Sequence, residues 1–258
     1  NVNKLLKKFY VRNGAIFSNK LYTINSLIDN KEKIDIDEIV FPDSLAIVDR
    51  EVVGFIMPLI ESINLDTILK DINIDNETKI KYLKDIGRIL EKMKQVRTHT
   101  SITDFYVNDL HESNFIVDKS TKELLLVDID SCKINNNKPF GSRYLSAFAP
   151  INRINKYEKT LDGTSGGFIE PSEDTDLYCY IIIILNFLFG KNINNYPIDD
   201  IYDFINYLDD IGVNKELLFI IEKVFTNCKN ENPYQLLDTL IPYIGKSKAY
   251  THIKNKSR

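Results

Sequence analysis

The sequence predicts an α+β protein with a small antiparallel sheet and one helix at its front and a larger helical body behind. Three observations carry this expectation. Up to about residue 60 the apolar residues fall mostly in short β-type runs, and from Leu65 onward they fall at helical spacing. The two regimes meet at the short polar stretch ESIN, Glu61 to Asn64, which reads as a hinge between lobes. The predicted divisions are an N-terminal lobe at 1–62, a C-terminal lobe at 63–245 and a basic tail at 246–258.

Taken in order, NKLLKKFYV within Val2 to Val11 is a short β-type run, and SNKLYTINSLIDN carries apolar residues on one helical face. In DSLAIVDREVVGFIMPLI, a polar turn at Asp49 to Glu51 separates two apolar runs, predicting an antiparallel pair whose second strand ends near Met57. LDTILKDI and then Glu77 to Val96 have helical spacing. Two short apolar stretches follow, FIV and LLLVDID. From Ser131 to Pro171 the chain is rich in Asn, Lys, Gly, Ser and Thr, a segment whose length without pattern suggests function or mobility.

The run YCYIIIILNFLFG, Tyr178 to Gly190, falls short of the ~20 residues that cross a membrane and predicts a buried helix. Glu173, Asp174 and Asp176 suit the positive end of its dipole, and Gly190 suits its stop. Helices continue through KELLFIIEKVF and PYQLLDTLIPYI.

Composition narrows the function classes. With 258 residues, 43% hydrophobic and 27% charged, the chain belongs with ordered globular proteins. A net charge of −4 and a pI near 5.5 argue against nucleic acid as the main partner, and no membrane partner is expected. Cys132, Cys179 and Cys228 lie far apart without CxxC spacing, which fits reduced thiols and a cytoplasmic setting.

The chemistry-bearing stretch is YVNDLHESNFIVDKSTKELLLVDID, Tyr106 to Asp130. It places Asp109 and Asn114 five residues apart and ends its second apolar run on Asp128 and Asp130. Carboxylates at the ends of apolar strands are costly unless something pairs with them, and the usual partner is a metal ion or a substrate.

NDLHESNFIV resembles the catalytic loop of the protein-kinase-like phosphotransferases, and LLLVDID resembles the strand and metal-binding Asp that follow it. The resemblance covers nearly the whole chain and implies a bilobal protein-kinase-like fold. It implies Asp109 as the catalytic base, Asn114 and Asp128 as Mg²⁺ ligands, and ATP as the nucleotide. Asp130 reads as a supporting or turn residue. GFIMPLIES resembles the strand leading to the nucleotide hinge, with Met57 as gatekeeper and adenine bonded to backbone near Pro58 and Ile60. Lys7, or Lys8, takes the place of the nucleotide-binding Lys. His111 stands where aminoglycoside-phosphotransferase-like kinases carry a His, which implies a phosphate contact. GSRYLSA resembles the end of an activation segment, and Asp176 the helix carboxylate that holds the catalytic loop from beneath.

The departures are as informative. No Gly-rich loop precedes Lys7, so the first two strands of such a fold are expected upstream of Asn1 or lost. Glu32 comes late for the helix Glu that should pair with the Lys. Val107 and Asn108 replace the usual His and Arg before Asp109, which leaves no obvious anchor for an activation-loop phosphate. Asp-Ile-Asp stands where Asp-Phe-Gly is usual, and the late Glu–Arg pair is missing on both sides.

The expected function is therefore an ATP- and Mg²⁺-dependent phosphotransferase, a divergent bacterial-type Ser/Thr protein kinase. The alternatives are a pseudokinase acting as a binding or scaffold module, and a kinase of small-molecule hydroxyls of the aminoglycoside or choline type.

Overall fold

The computed structural model describes residues 3–10, 14–137, 139, 154–155, 168–169, 171–189, 201–210, 212–226 and 234. It is a mixed α+β structure of small antiparallel sheets and helices. Strand β1 (Lys4–Lys8) precedes helix α1 (Ala15–Ile34), and β2 (Ser44–Val48) and β3 (Glu51–Pro58) form the expected hairpin. Its turn is tighter than the sequence suggests: Asp49 and Arg50 both take positive φ, 51° and 69°, and the strand resumes at Glu51. Such a two-residue turn matches the twist of the flanking strands.

The first sheet has the order β1-β3-β2, with Leu5 opposite Met57 and Lys7 opposite Phe55. Strand periodicity therefore puts Leu5, Lys7, Phe55 and Met57 on one face. Gly54 permits this pairing, because a Cβ there would overlap the Lys7 carbonyl oxygen.

The stretch Glu61 to Asn64, expected as a short polar connection, is in part a strand. Ser62–Asn64 is a strand, β4, paired antiparallel with β6 (Phe115–Asp118), which in turn pairs with β7 (Leu124–Leu126). A three-residue strand has too few positions to display a period, and its backbone groups find partners more than fifty residues away. Asn64 then caps α2 (Leu65–Lys70) by accepting from the Asp66 amide at 2.9 Å, and donates to the Ser113 carbonyl at 2.8 Å. The Ile36–Phe41 segment joins the front of the chain to β7, through Val40 N–H to Leu126 O at 2.9 Å and Leu126 N–H to Glu38 O at 2.8 Å.

Helix α3 (Asn76–His99) starts at Asp75, whose carboxylate accepts from the Thr78 amide at 2.8 Å, and buries an apolar stripe that includes Leu83, Ile86 and Leu90. Strand β5 (Phe105–Tyr106) pairs with β8 (Lys133–Ile134), and β9 (Ile154–Asn155) pairs with β10 (Phe168–Ile169). Helix α4 (Glu173–Phe189) is apolar around most of its circumference and buried along Leu177 to Leu185, as the sequence predicts. It packs closely on α3 at Gly87, where a Cβ would stand 2.8 Å from the Tyr180 hydroxyl oxygen. That hydroxyl donates to the Leu83 carbonyl at 2.8 Å. Helices α5 (Ile201–Asp210) and α6 (Lys215–Thr226) complete the described part.

Among the described residues no helix is long and apolar enough to cross a membrane. Cys132 and Cys179 are buried free thiols. Cys228, Gly190, the DGTSGG and GSRYLSA stretches, the PYQLLDTLIPYI helix apart from Tyr234, and the basic tail lie outside the described residues.

Candidate active site

A cavity of about 280 Å³ lies between the two three-stranded sheets. Leu5, Phe55 and Met57 face it from the first sheet and Ile116 from the second, so its walls are largely apolar. Pro58, Leu59 and Ile60 line its rim. The Leu59 N–H is committed to the Asn3 carbonyl at 3.0 Å. Met57, Pro58 and Ile60, expected on a nucleotide pocket, thus all border one cavity.

One end of this cavity is charged. Lys7, Asp128 and Asp130 line it together. The Lys7 ammonium is paired with the Asp128 carboxylate and lies 3.1 Å from Asp130 Oδ2. It also lies 5.8 Å from the centre of the Phe55 ring. Lys7 rather than Lys8 is the lysine at the site, because alternation along β1 turns Lys8 to the other face of the strand.

A second cation enters from α1: Lys20 Nζ is 3.1 Å from the same Asp130 oxygen. Sequence reading missed Lys20. A lysine on a helix looks like a solvated residue, and its partner is 110 positions away.

The two carboxylates differ in electrostatic state. Burial pushes the Asp128 pKa up and the neighbouring Asp130 charge adds to this, against the pull of Lys7. Asp130 is also opposed by burial, yet Lys7 and Lys20 together hold its pKa below the ordinary carboxylate range. Burial pulls the Lys7 pKa down, but the Asp130 and Asp128 charges outweigh it and leave it raised. Asp128, with 44% of its side chain exposed, is the carboxylate open to a further cation, whereas Asp130 has only 4% exposed.

Asp109, His111 and Asn114 are not among the cavity-lining residues. They sit on the adjoining loop, which the strand pairing ties to the cavity wall. Asn114 ends a single 3-10 turn, Glu112–Asn114, that leads into β6, while Asp128 stands two residues beyond β7 in the left-handed region at φ 59°. With Phe115 opposite Leu126, and Val127 N–H donating to the Asn114 carbonyl at 2.8 Å, the loop and the Asp128 segment are in register. Asn114 Nδ2 donates to the Asp109 carbonyl at 2.8 Å, which spans the loop and fixes the amide orientation. His111 Nε2 lies 3.7 Å from Asp109 Oδ2, so the structure places His111 beside the expected base rather than on the cavity wall.

The loop is held from beneath by Asp176, the residue that the kinase-like resemblance implies for this task. Asp176, at the start of α4, accepts from the amides of Val107 at 2.9 Å and Asn108 at 3.1 Å. Burial pushes its pKa up to about 6, although both amides favour the ionised form. Asn108, which sequence reading treated only as a departure, holds φ 65° and donates from Nδ2 to the Ser131 carbonyl at 3.0 Å. It joins the loop to the residue after Asp130.

Among the described residues no group of three or more His, Cys, Asp or Glu side chains is arranged to hold a metal ion. The oxygen donors that suit a hard cation are the Asp128 carboxylate and the Asn114 amide oxygen, the end of that amide not committed to the Asp109 carbonyl. Two protein oxygens suit Mg²⁺, which keeps several waters and draws further ligands from phosphates. No protein-family model matches the chain, and neither does any curated protein.

Proposed function

We propose that the chain is an ATP- and Mg²⁺-dependent phosphotransferase with a bilobal protein-kinase-like fold, its lobes spanning 1–62 and 63–245. One observation carries this reading. An apolar cavity ends in a Lys–Asp pair, and the loop bearing Asp109 and Asn114 is hydrogen-bonded to the segment that delivers that Asp.

The apolar walls suit an adenine ring, whose polar edge would meet the Pro58 carbonyl and the Ile60 amide. Pro58 is compatible with this, because proline lacks only the N–H. Lys7 would neutralise phosphate oxygens, and Asn114 and Asp128 would hold Mg²⁺, which when bound offsets the charge of the phosphates. Asp109 would orient the acceptor hydroxyl and accept its proton as the hydroxyl oxygen bonds to the γ-phosphorus and the bond to the leaving diphosphate breaks. The activation-segment-like GSRYLSA favours a Ser or Thr protein acceptor. A small-molecule hydroxyl is favoured by His111 beside Asp109. The pseudokinase reading is favoured by the pairing of Lys7 with Asp128 and Asp130 rather than with an acid of α1.

The test is a thermal shift with ATP, with and without Mg²⁺, since a ligand that binds only the folded state raises the melting temperature. A Mg²⁺-dependent rise supports the phosphotransferase. No shift at millimolar ATP overturns it in favour of the pseudokinase.

A further inference from the structure

Glu32 comes late for the carboxylate that should hold the nucleotide-binding lysine, and the structure supplies another candidate for that task. Asp130 is 5% exposed, and a carboxylate so buried is costly unless it is paired. Its Oδ2 stands 3.1 Å from both Lys7 and Lys20, while Oδ1 accepts from the Ser131 hydroxyl at 3.3 Å. Both oxygens therefore have protein partners, and the more exposed Asp128 is the carboxylate open to a metal.

A divalent ion at Asp128 would displace the Lys7 ammonium from that carboxylate and leave it on Asp130, still at the charged end of the cavity. Lys20 reaches the same oxygen from α1, so the helix that lacks an acid at the site takes part through a base. The polarity of the usual contact is inverted: the acid comes from the segment after β7 and the helix supplies a second cation to hold it.

We propose that Asp130 is the positioning residue for Lys7, and that Lys20 steadies Asp130 by coupling α1 to the nucleotide end of the cavity. This rests on the nucleotide reading above, and its test separates the two. Selective acylation of lysines in the intact protein, read by mass spectrometry, reports on Lys7 without nucleotide. Mg-ATP affinity, measured by calorimetry on wild type, Asp130→Asn, Lys7→Met and the double variant, reports on function.

We expect Lys7 in Asp130→Asn to acylate several-fold faster than in wild type, because it has lost a charged partner. Each single substitution should weaken Mg-ATP by about tenfold, and the double variant should be little worse than either. Lys20→Met, at a partly exposed helix position that tolerates the change, should give a smaller loss of Mg-ATP affinity in the same direction and a slower Lys7 reaction, because a competing cation on the same Asp130 oxygen is gone. It keeps the test decisive if Asp130→Asn does not fold. Wild-type binding with additive losses, or unchanged Lys7 acylation in both variants, overturns the positioning role and leaves the nucleotide reading standing. Wild type that fails to bind Mg-ATP overturns the nucleotide reading and the positioning role with it.

Discussion

The two sides of the candidate site are held in different ways. The loop Tyr106–Asn114 is fixed from within: Asp176 on a buried helix takes two of its amides, Asn114 closes it on the Asp109 carbonyl, and Asn108 ties it to Ser131. Lys7 sits on a strand that, among the described residues, pairs only with β3, and its ammonium is located by a cluster of two acids and one further base. One side is a hydrogen-bonded scaffold whose geometry belongs to the fold. The other is a balance of charges, and a balance shifts when a charged ligand enters. Under the proposed function, the difference suits a base that stays still while the end expected to meet phosphate rearranges.

The strongest way to break the comparison is to remove the proposed base, Asp109, from the rigid side. Asp109→Ala is expected to lower turnover by about 10²–10⁴-fold while Mg-ATP binding, read by calorimetry, is retained. Normal turnover would take Asp109 out of the chemistry. On the charged side, Asp128→Asn should abolish the Mg²⁺-dependent part of nucleotide binding and leave the circular dichroism spectrum unchanged. Unaltered Mg-ATP affinity would remove the metal role.

Gly54→Ala attacks the support of Lys7, since the new methyl group would overlap the Lys7 carbonyl oxygen. It should cost about 3 kcal/mol in chemical denaturation and weaken nucleotide binding more than turnover of the bound complex. Asp176→Asn attacks the scaffold. An amide accepts at only one end, so one of the two loop N–H groups loses its partner, at about 1 kcal/mol near neutral pH.

The pH dependence of that last variant has a definite sign. Because burial raises the folded-state pKa of Asp176 to about 6, its ionised form costs the fold stability at neutral pH. From this group wild type gains stability as the pH falls from about 6 toward the ordinary Asp value, and the Asn variant does not. The gap between the two should widen on acidification, and denaturation curves at pH 7 and pH 5 would check it.

What was legible in the sequence follows the same division. The loop side could be read because its information is local: Asp109, Asn114 and the strand after them stand at fixed short spacing, and the family resemblance these carry implies Asp176 at the start of the buried helix. The β2–β3 hairpin was legible through its polar turn. Strand β4 read as a polar connection because three residues show no period, and only its partner β6 reveals it. Lys20 and Asn108 were silent because a helix lysine and a turn asparagine are ordinary in those places. Their significance lies in partners 110 and 23 residues away, which no spacing rule connects.

The Asp176 contacts also make the loop a reporter on the core. The amide hydrogens of Val107 and Asn108 point into a carboxylate at the start of a buried helix, away from solvent. They can exchange with deuterium only when α4 and the loop part company. The slowest-exchanging amides near the site should therefore lie beside the proposed base, and their opening free energy would measure how firmly the interior grips the working loop.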